Sequence, residues 1–149
     1  MRRVQRVLGV LSALLLAIGL VAPTVGFDGP QISYVTIGSA TVDRGGNVRV
    51  VGTVWCSQPM DVQFGAQVQQ VVGRTVTLRG GFGGWQACNG TTPWEGWARA
   101  DSGKFTSGWA TIDAWFEGAF WCDDPNDPNT CGPHAKGGTS AYMKLVRAR

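Results

Sequence analysis

An all-β fold is what this sequence predicts, and three observations carry the expectation. Past residue 26 no stretch shows helical periodicity of useful length, whereas apolar and polar residues repeatedly alternate with period two. The alternating runs are rich in β-branched and aromatic residues, which suit a pleated, half-buried surface. Clusters of Gly, Pro, Asp and Asn separate them, in a chain whose 149 residues include 22 Gly and 7 Pro.

Ile32 to Val42 reads as the first strand, ended by Asp43-Arg44-Gly45-Gly46-Asn47. Val48, Val50, Gly52 and Val54 then alternate with Arg49, Val51, Thr53 and Trp55, a second strand that delivers Cys56. Asp61 to Val72 and Thr75 to Arg79 follow, split by Gly73-Arg74. Trp94 to Ala100 is a fifth element, bounded by Pro93 and by Asp101-Ser102-Gly103. Trp109 to Cys122 is the longest run, and Ser140 to Arg147 closes the chain. Seven short strands with closely spaced turn signals predict a single antiparallel immunoglobulin-like β-sandwich.

The N-terminus has a different character. Arg2, Arg3 and Arg6 form a basic head, Val7 to Ala22 an apolar run, and Thr24-Val25-Gly26 a stretch of small residues. That is the layout of a secretory signal, and it places the rest of the chain outside the cytosol, where disulfides form. Pro23 disfavours cleavage after Ala22, so Gly26 is the expected last residue of the signal. The competing reading is a retained membrane anchor over residues 7–22. That run is interrupted by Gly9, Ser12 and Gly19 and falls short of the roughly 20 apolar residues that cross a bilayer. The expected organisation is thus a signal peptide, 1–26, and one domain, 27–149, long enough for one core.

The charge balance follows this division. The chain has 13 basic and 10 acidic residues, and the signal holds three of the basic ones and no acid. The exported part is close to neutral, which removes the electrostatic motive for nucleic acid as a partner.

Four cysteines in an exported domain read as two disulfides, with three pairings possible. Cys122 and Cys131 flank the turn-rich segment Asp123-Asp124-Pro125-Asn126-Asp127-Pro128-Asn129-Thr130, so local pairing is the simplest choice and leaves Cys56 to Cys88. Neither spacing matches the close pairs of a zinc site, and no metal or cofactor is expected. The oxygen-rich loop has calcium-like chemistry but lacks the Gly and final Glu of an EF-hand, and reads better as Asx turns. Asn89-Gly90-Thr91 fits a glycosylation acceptor, a pattern common by chance.

Five segments together resemble a known group. They are Gly52-Thr53-Val54-Trp55-Cys56, Cys88-Asn89-Gly90-Thr91-Thr92-Pro93-Trp94, Phe105-Thr106-Ser107-Gly108-Trp109-Ala110, the Cys122 to Cys131 loop and the Ala141 to Arg147 strand. Over residues 45–149 their order and cysteine placement resemble a family of small secreted actinobacterial proteins of unknown function. The resemblance implies an exported, disulfide-linked β-sandwich and transfers no catalytic residue. At fold level alone there is also a likeness to the antibiotic-carrying apoproteins of actinobacteria, without a match in cysteine spacing.

The seven tryptophans all lie between residues 55 and 121. If the longest strand is regular, Ala110, Ile112, Ala114, Phe116, Gly118 and Phe120 share the core face. Trp109, Thr111, Asp113, Trp115, Glu117 and Trp121 share the other. The ligand-binding residues expected are therefore Trp109, Trp115, Trp121, Asp113 and Glu117. Indoles beside hydrogen-bonding acids suit sugar rings, and they also suit a protein interface. The competing reading packs each indole against a disulfide or a neighbouring strand. Trp94 and Trp97, three apart, should point to opposite faces.

No catalytic residue is expected. His134, the single histidine, sits in Gly132-Pro133-His134-Ala135-Lys136-Gly137-Gly138, which reads as a solvated loop without a triad. Glu95, Asp113 and Glu117 are the candidate acids of a distant glycosidase alternative. Three function classes follow: a secreted non-catalytic binding module for a glycan, small apolar molecule or protein; a structural or envelope-associated interaction protein; and, distantly, a glycoside-active enzyme.

Overall fold

The computed structural model describes residues 29–149, so the expected signal peptide, 1–26, and its expected cleavage point lie outside the described residues. Five strands form: β1 (Ile32–Val42), β2 (Val48–Val72), β3 (Val76–Ala100), β4 (Gly108–Cys122) and β5 (Cys131–Arg147). A three-residue 3-10 turn, Pro128–Thr130, precedes β5, and there is no α-helix among the described residues. The sheet order is β1-β5-β4-β2-β3, and β1 pairs with β2 as well. Strands β1, β5, β4 and β2 therefore close into a four-stranded ring, with β3 hydrogen-bonded to the outer side of β2. The pairings are antiparallel except for a short parallel contact, Thr41 with Val146 and Val42 with Arg147, that joins β1 to β5.

The all-β expectation holds, but five strands form where seven were expected, and the breaks read from the sequence are bends. Cys56 faces Gly90 and Met60 faces Cys88, so Ser57, Gln58 and Pro59 together oppose Asn89. This bulge turns β2 sharply without ending it. Strand β3 likewise runs through Gly80, Gly81, Gly83, Gly84 and Pro93. It pairs with β2 alone, and an edge strand tolerates both the missing amide hydrogen of proline and the poor packing of glycine. The first half of β5 contains Gly132, Pro133, Gly137 and Gly138, yet it pairs with β4, so His134 sits on a strand and not in a flexible loop.

The bend folds the β2–β3 hairpin onto itself. The Asp101 amide donates to the Arg79 carbonyl at 2.8 Å, and the Phe82 ring packs directly on Gly96. Between the layers lies an aromatic cluster. Phe64 and Phe116 stack at 5.5 Å, and Trp94 meets Phe116 edge-on at 5.6 Å. Val48, Val50, Val54, Val62, Val68, Ile112 and Leu145 complete a fully buried core. Each such side chain contributes roughly 1.5–3 kcal/mol on burial.

Polar clasps hold the connections. The Gln70 side chain, buried, donates to the Thr106 carbonyl at 2.8 Å and accepts from its amide at 3.0 Å, fixing the β3–β4 link to β2. Asp43 accepts from the amide and the side-chain nitrogen of Asn47, both at 2.9 Å, and closes the β1–β2 turn. The disulfides are Cys56–Cys88 and Cys122–Cys131, the local pairing expected. The first spans the bulge inside the core; the second ties β4 to β5 in register. Both are consistent with an extracellular location. No helix among the described residues is long and apolar enough to cross a membrane.

Candidate functional site

Strand β4 alternates as expected over most of its length. Ala110, Ile112, Ala114, Phe116 and Gly118 are buried, while Trp109 and Trp115 are 55% and 44% exposed, with Asp113 and Glu117 beside them half-buried. Phe120 departs from the pattern. Ala119 adopts a positive φ of 55°, which interrupts the pleat, and Phe120 emerges 42% exposed against Trp85, ring centroids 5.3 Å apart. Of the seven indoles only Trp94 is fully buried. Trp97, three residues on, is exposed, as alternation required.

Strand register builds the surface around Trp115. Gln63, Gly65 and Gln67 of β2 lie opposite Glu117, Trp115 and Asp113. On the other side Lys136, Gly138 and Ser140 of β5 lie opposite the same three residues. A Cβ on Gly65 would come within 2.7 Å of Cε2 and 2.9 Å of Nε1 of Trp115, so the indole lies across the bare backbone of Gly65. Gly83 on β3 and Gly138 on β5 extend the same row without side chains. The indole thus rests low on the sheet, one face against glycine and the other open. Polar groups frame it: the two carboxylates, Gln63, and Gln67, which accepts from Gln69 at 3.2 Å. Lys136 stands 3.8 Å from Glu117, an exposed pair of small energetic weight that leaves the carboxylate accessible.

The five expected residues separate into two groups. Trp109 belongs to the same face as Asp113, Trp115 and Glu117, at its far end, where it stacks on Tyr142 at 5.1 Å with planes 17° apart. A groove of about 290 Å³ bordered by Gln69 and Thr77 runs beside this pair. Trp121 does not join them. It lies beyond the Ala119 interruption and stacks on the His134 ring at 3.8 Å, next to the Cys122–Cys131 bond. Trp85, Tyr142, Gly65 and the glutamines were not singled out from sequence, although Gln63-Phe64-Gly65-Ala66-Gln67-Val68-Gln69 alternates openly between polar or small and apolar residues.

The acids and the histidine singled out from sequence occupy separate places on the sheet. Asp113 and Glu117 are four residues apart on one strand, roughly 13 Å at the usual rise, beyond the separations of paired glycosidase acids. Glu95 sits on another strand, ion-paired with Arg49. His134 contacts the Trp121 carbonyl at 3.4 Å and Asp123 at 3.7 Å, with no nucleophile against it among the described residues. The acidic loop is occupied by its own turns: Asp124 accepts from the Asn126 amide, and Asp127 caps the 3-10 turn through the Asn129 amide. Among the described residues no group of three or more His, Cys, Asp or Glu side chains is placed to hold a metal. No protein-family model and no curated protein matches the chain.

Proposed function

We propose that this protein is an exported, non-catalytic binding module that holds a glycan on the outer face of β4, with Trp115 as the stacking platform. One observation carries the reading: an indole laid across Gly65 with one face open, flanked by Asp113, Glu117, Gln63 and Gln67. A sugar ring presents an apolar C–H face and a rim of hydroxyls. Flat aromatic surface takes the first, and carboxylate and amide groups take the second. Trp109 with Tyr142 offers a second aromatic surface farther along the strand, which fits a linear chain of several sugars better than a single one. Export rests on the leader-like segment and agrees with the two disulfides. The two layers made by the bent β2–β3 hairpin are the feature that an immunoglobulin-like reading of the fold relies on.

A glycan array probed with the oxidised protein tests the proposal. Binding to linear oligosaccharides is expected, and Trp115→Ala should abolish it. The substitution removes a side chain about half exposed, so the stability cost should be about 1–2 kcal/mol, against the 3–5 kcal/mol of an aromatic core truncation. An array blank for the unmutated protein, or binding that survives Trp115→Ala, contradicts the assignment.

A further inference from the structure

Strand register carries the Trp115 face one strand beyond β2. Glu117 lies opposite Gln63, and Gln63 lies opposite Trp85 of β3. Side chains directly opposite on paired strands share a face, so Trp85 stands on the same surface as Trp115. It is the most exposed of the seven indoles, at 61%. The ground between the two is bare. The Trp115 ring is laid over Gly65, Gly83 lies opposite Gly65, and Trp85 is two residues along from Gly83. That diagonal is about 7–8 Å between backbones, and it crosses no side chain. Phe120, turned out of the core after Ala119, packs on Trp85 with ring centroids 5.3 Å apart and widens the aromatic surface there.

Three aromatic groups therefore follow one another across a single face: Trp109 with Tyr142, then Trp115, then Trp85 with Phe120. Trp85 is level with Glu117, eight residues along β4 from Trp109 and two strands across. At the usual spacings the line is roughly 29 Å long. Asp113 and Glu117 stand along it, whereas Arg79 and Lys136 lie to either side and Lys144 at its Trp109 end. Carboxylates in the middle accept from hydroxyl groups and repel a uronic or sulfated chain. A chain that touches all three aromatic groups must also stay extended and keep its rings turned toward the sheet over the whole distance. Sugars joined through equatorial bonds form such flat ribbons, and axially linked ones coil away. We infer that this face binds a neutral, ribbon-like polysaccharide with equatorial linkages, and that Trp85 with Phe120 forms its third aromatic subsite. The inference rests on the glycan reading of Trp115 and adds to it the length, charge and shape of the chain.

Calorimetric titration of the oxidised protein with cellohexaose and chitohexaose, soluble pieces of two such ribbons, tests the inference. At least one should bind, and far more tightly than its own disaccharide. Trp85→Ala should weaken that hexasaccharide severalfold with Tm nearly unchanged, as for other solvent-facing substitutions. Trp97→Ala, which removes another exposed indole on the other half of the β2–β3 hairpin, should leave the affinity as it was. Maltohexaose, which coils, and hexamannuronate, which is flat but charged, should both bind more weakly. Full affinity in Trp85→Ala with binding lost in Trp115→Ala would overturn the third subsite and leave the Trp115 reading standing. Equal binding of maltohexaose or hexamannuronate would overturn the chain class. Binding of neither cellohexaose nor chitohexaose would overturn the inference as a whole, and an array on which other sugars still require Trp115 would then show the glycan reading intact.

Discussion

Trp115 is positioned by what its neighbours lack. The indole can lie low on the sheet because Gly65, directly opposite on β2, has no side chain. Gly65→Ala would put a methyl group into the ring, and the half-exposed indole would swing outward with the backbone unmoved. The expected outcome is a loss of glycan binding with a denaturation midpoint close to that of the parent protein. A midpoint lowered as far as by a core substitution would show instead that the indole is locked in place. Asp43 illustrates a different residue-scale effect. Hydrogen bonds from the Asn47 side chain, and then from its backbone amide, hold the Asp43 carboxyl below the usual carboxylate range. The unfolded chain therefore takes up this proton first on acidification, and the turn's contribution, complete above the ordinary value of about 3.9, fades as pH falls through the lower folded-state value. In urea titrations Asp43→Asn should be less stable than the parent at neutral pH, and the difference should shrink below about pH 4.

Elements were legible in proportion to how regular their neighbours made them. The two faces of β4 could be read up to Gly118, because each residue there has a partner on both β2 and β5 or on β5 alone in constant register. The failure at Phe120 came from Ala119, whose positive φ has no compositional signal. Strand β3 misled for a different reason: its glycines and Pro93 are turn formers in isolation, but a 25-residue partner strand supplies the ladder that overrides them. The disulfides act at this scale too. Cys56–Cys88 closes a segment 32 residues long across the bulge, whereas Cys122–Cys131 closes one of 9 within an already paired hairpin. Chain-entropy arguments give about 3.5 kcal/mol for the first and about 2.5 kcal/mol for the second. Replacing Cys56 and Cys88 by Ala should thus lower the unfolding free energy more than replacing Cys122 and Cys131. The reverse order in denaturant titrations would mean that the bulge holds its bend unaided.

For the molecule as a whole, alternation and turn chemistry were enough to fix an all-β class and the extents of β1 and β4, and to favour, among three pairings, the disulfides that form. They were not enough to show that predicted strands 48–56 and 61–72 are one bent strand, or that a two-residue parallel contact between β1 and β5 closes the ring. Those features depend on long-range register, which no local pattern encodes. The candidate face was half legible for the same reason. Asp113, Trp115 and Glu117 share one strand and could be grouped by period two, while Gly65, Gln63 and Gln67 reach them only through β2–β4 pairing. The most direct measurement is an NMR titration of the seven indole N–H signals with the linear oligosaccharide that the array selects. Saturable shifts at Trp115 and Trp109, with Trp94 unchanged, are the predicted result. Shifts confined to Trp121 or Trp97, or no indole responding to any array-selected sugar, would contradict a binding face centred on Trp115.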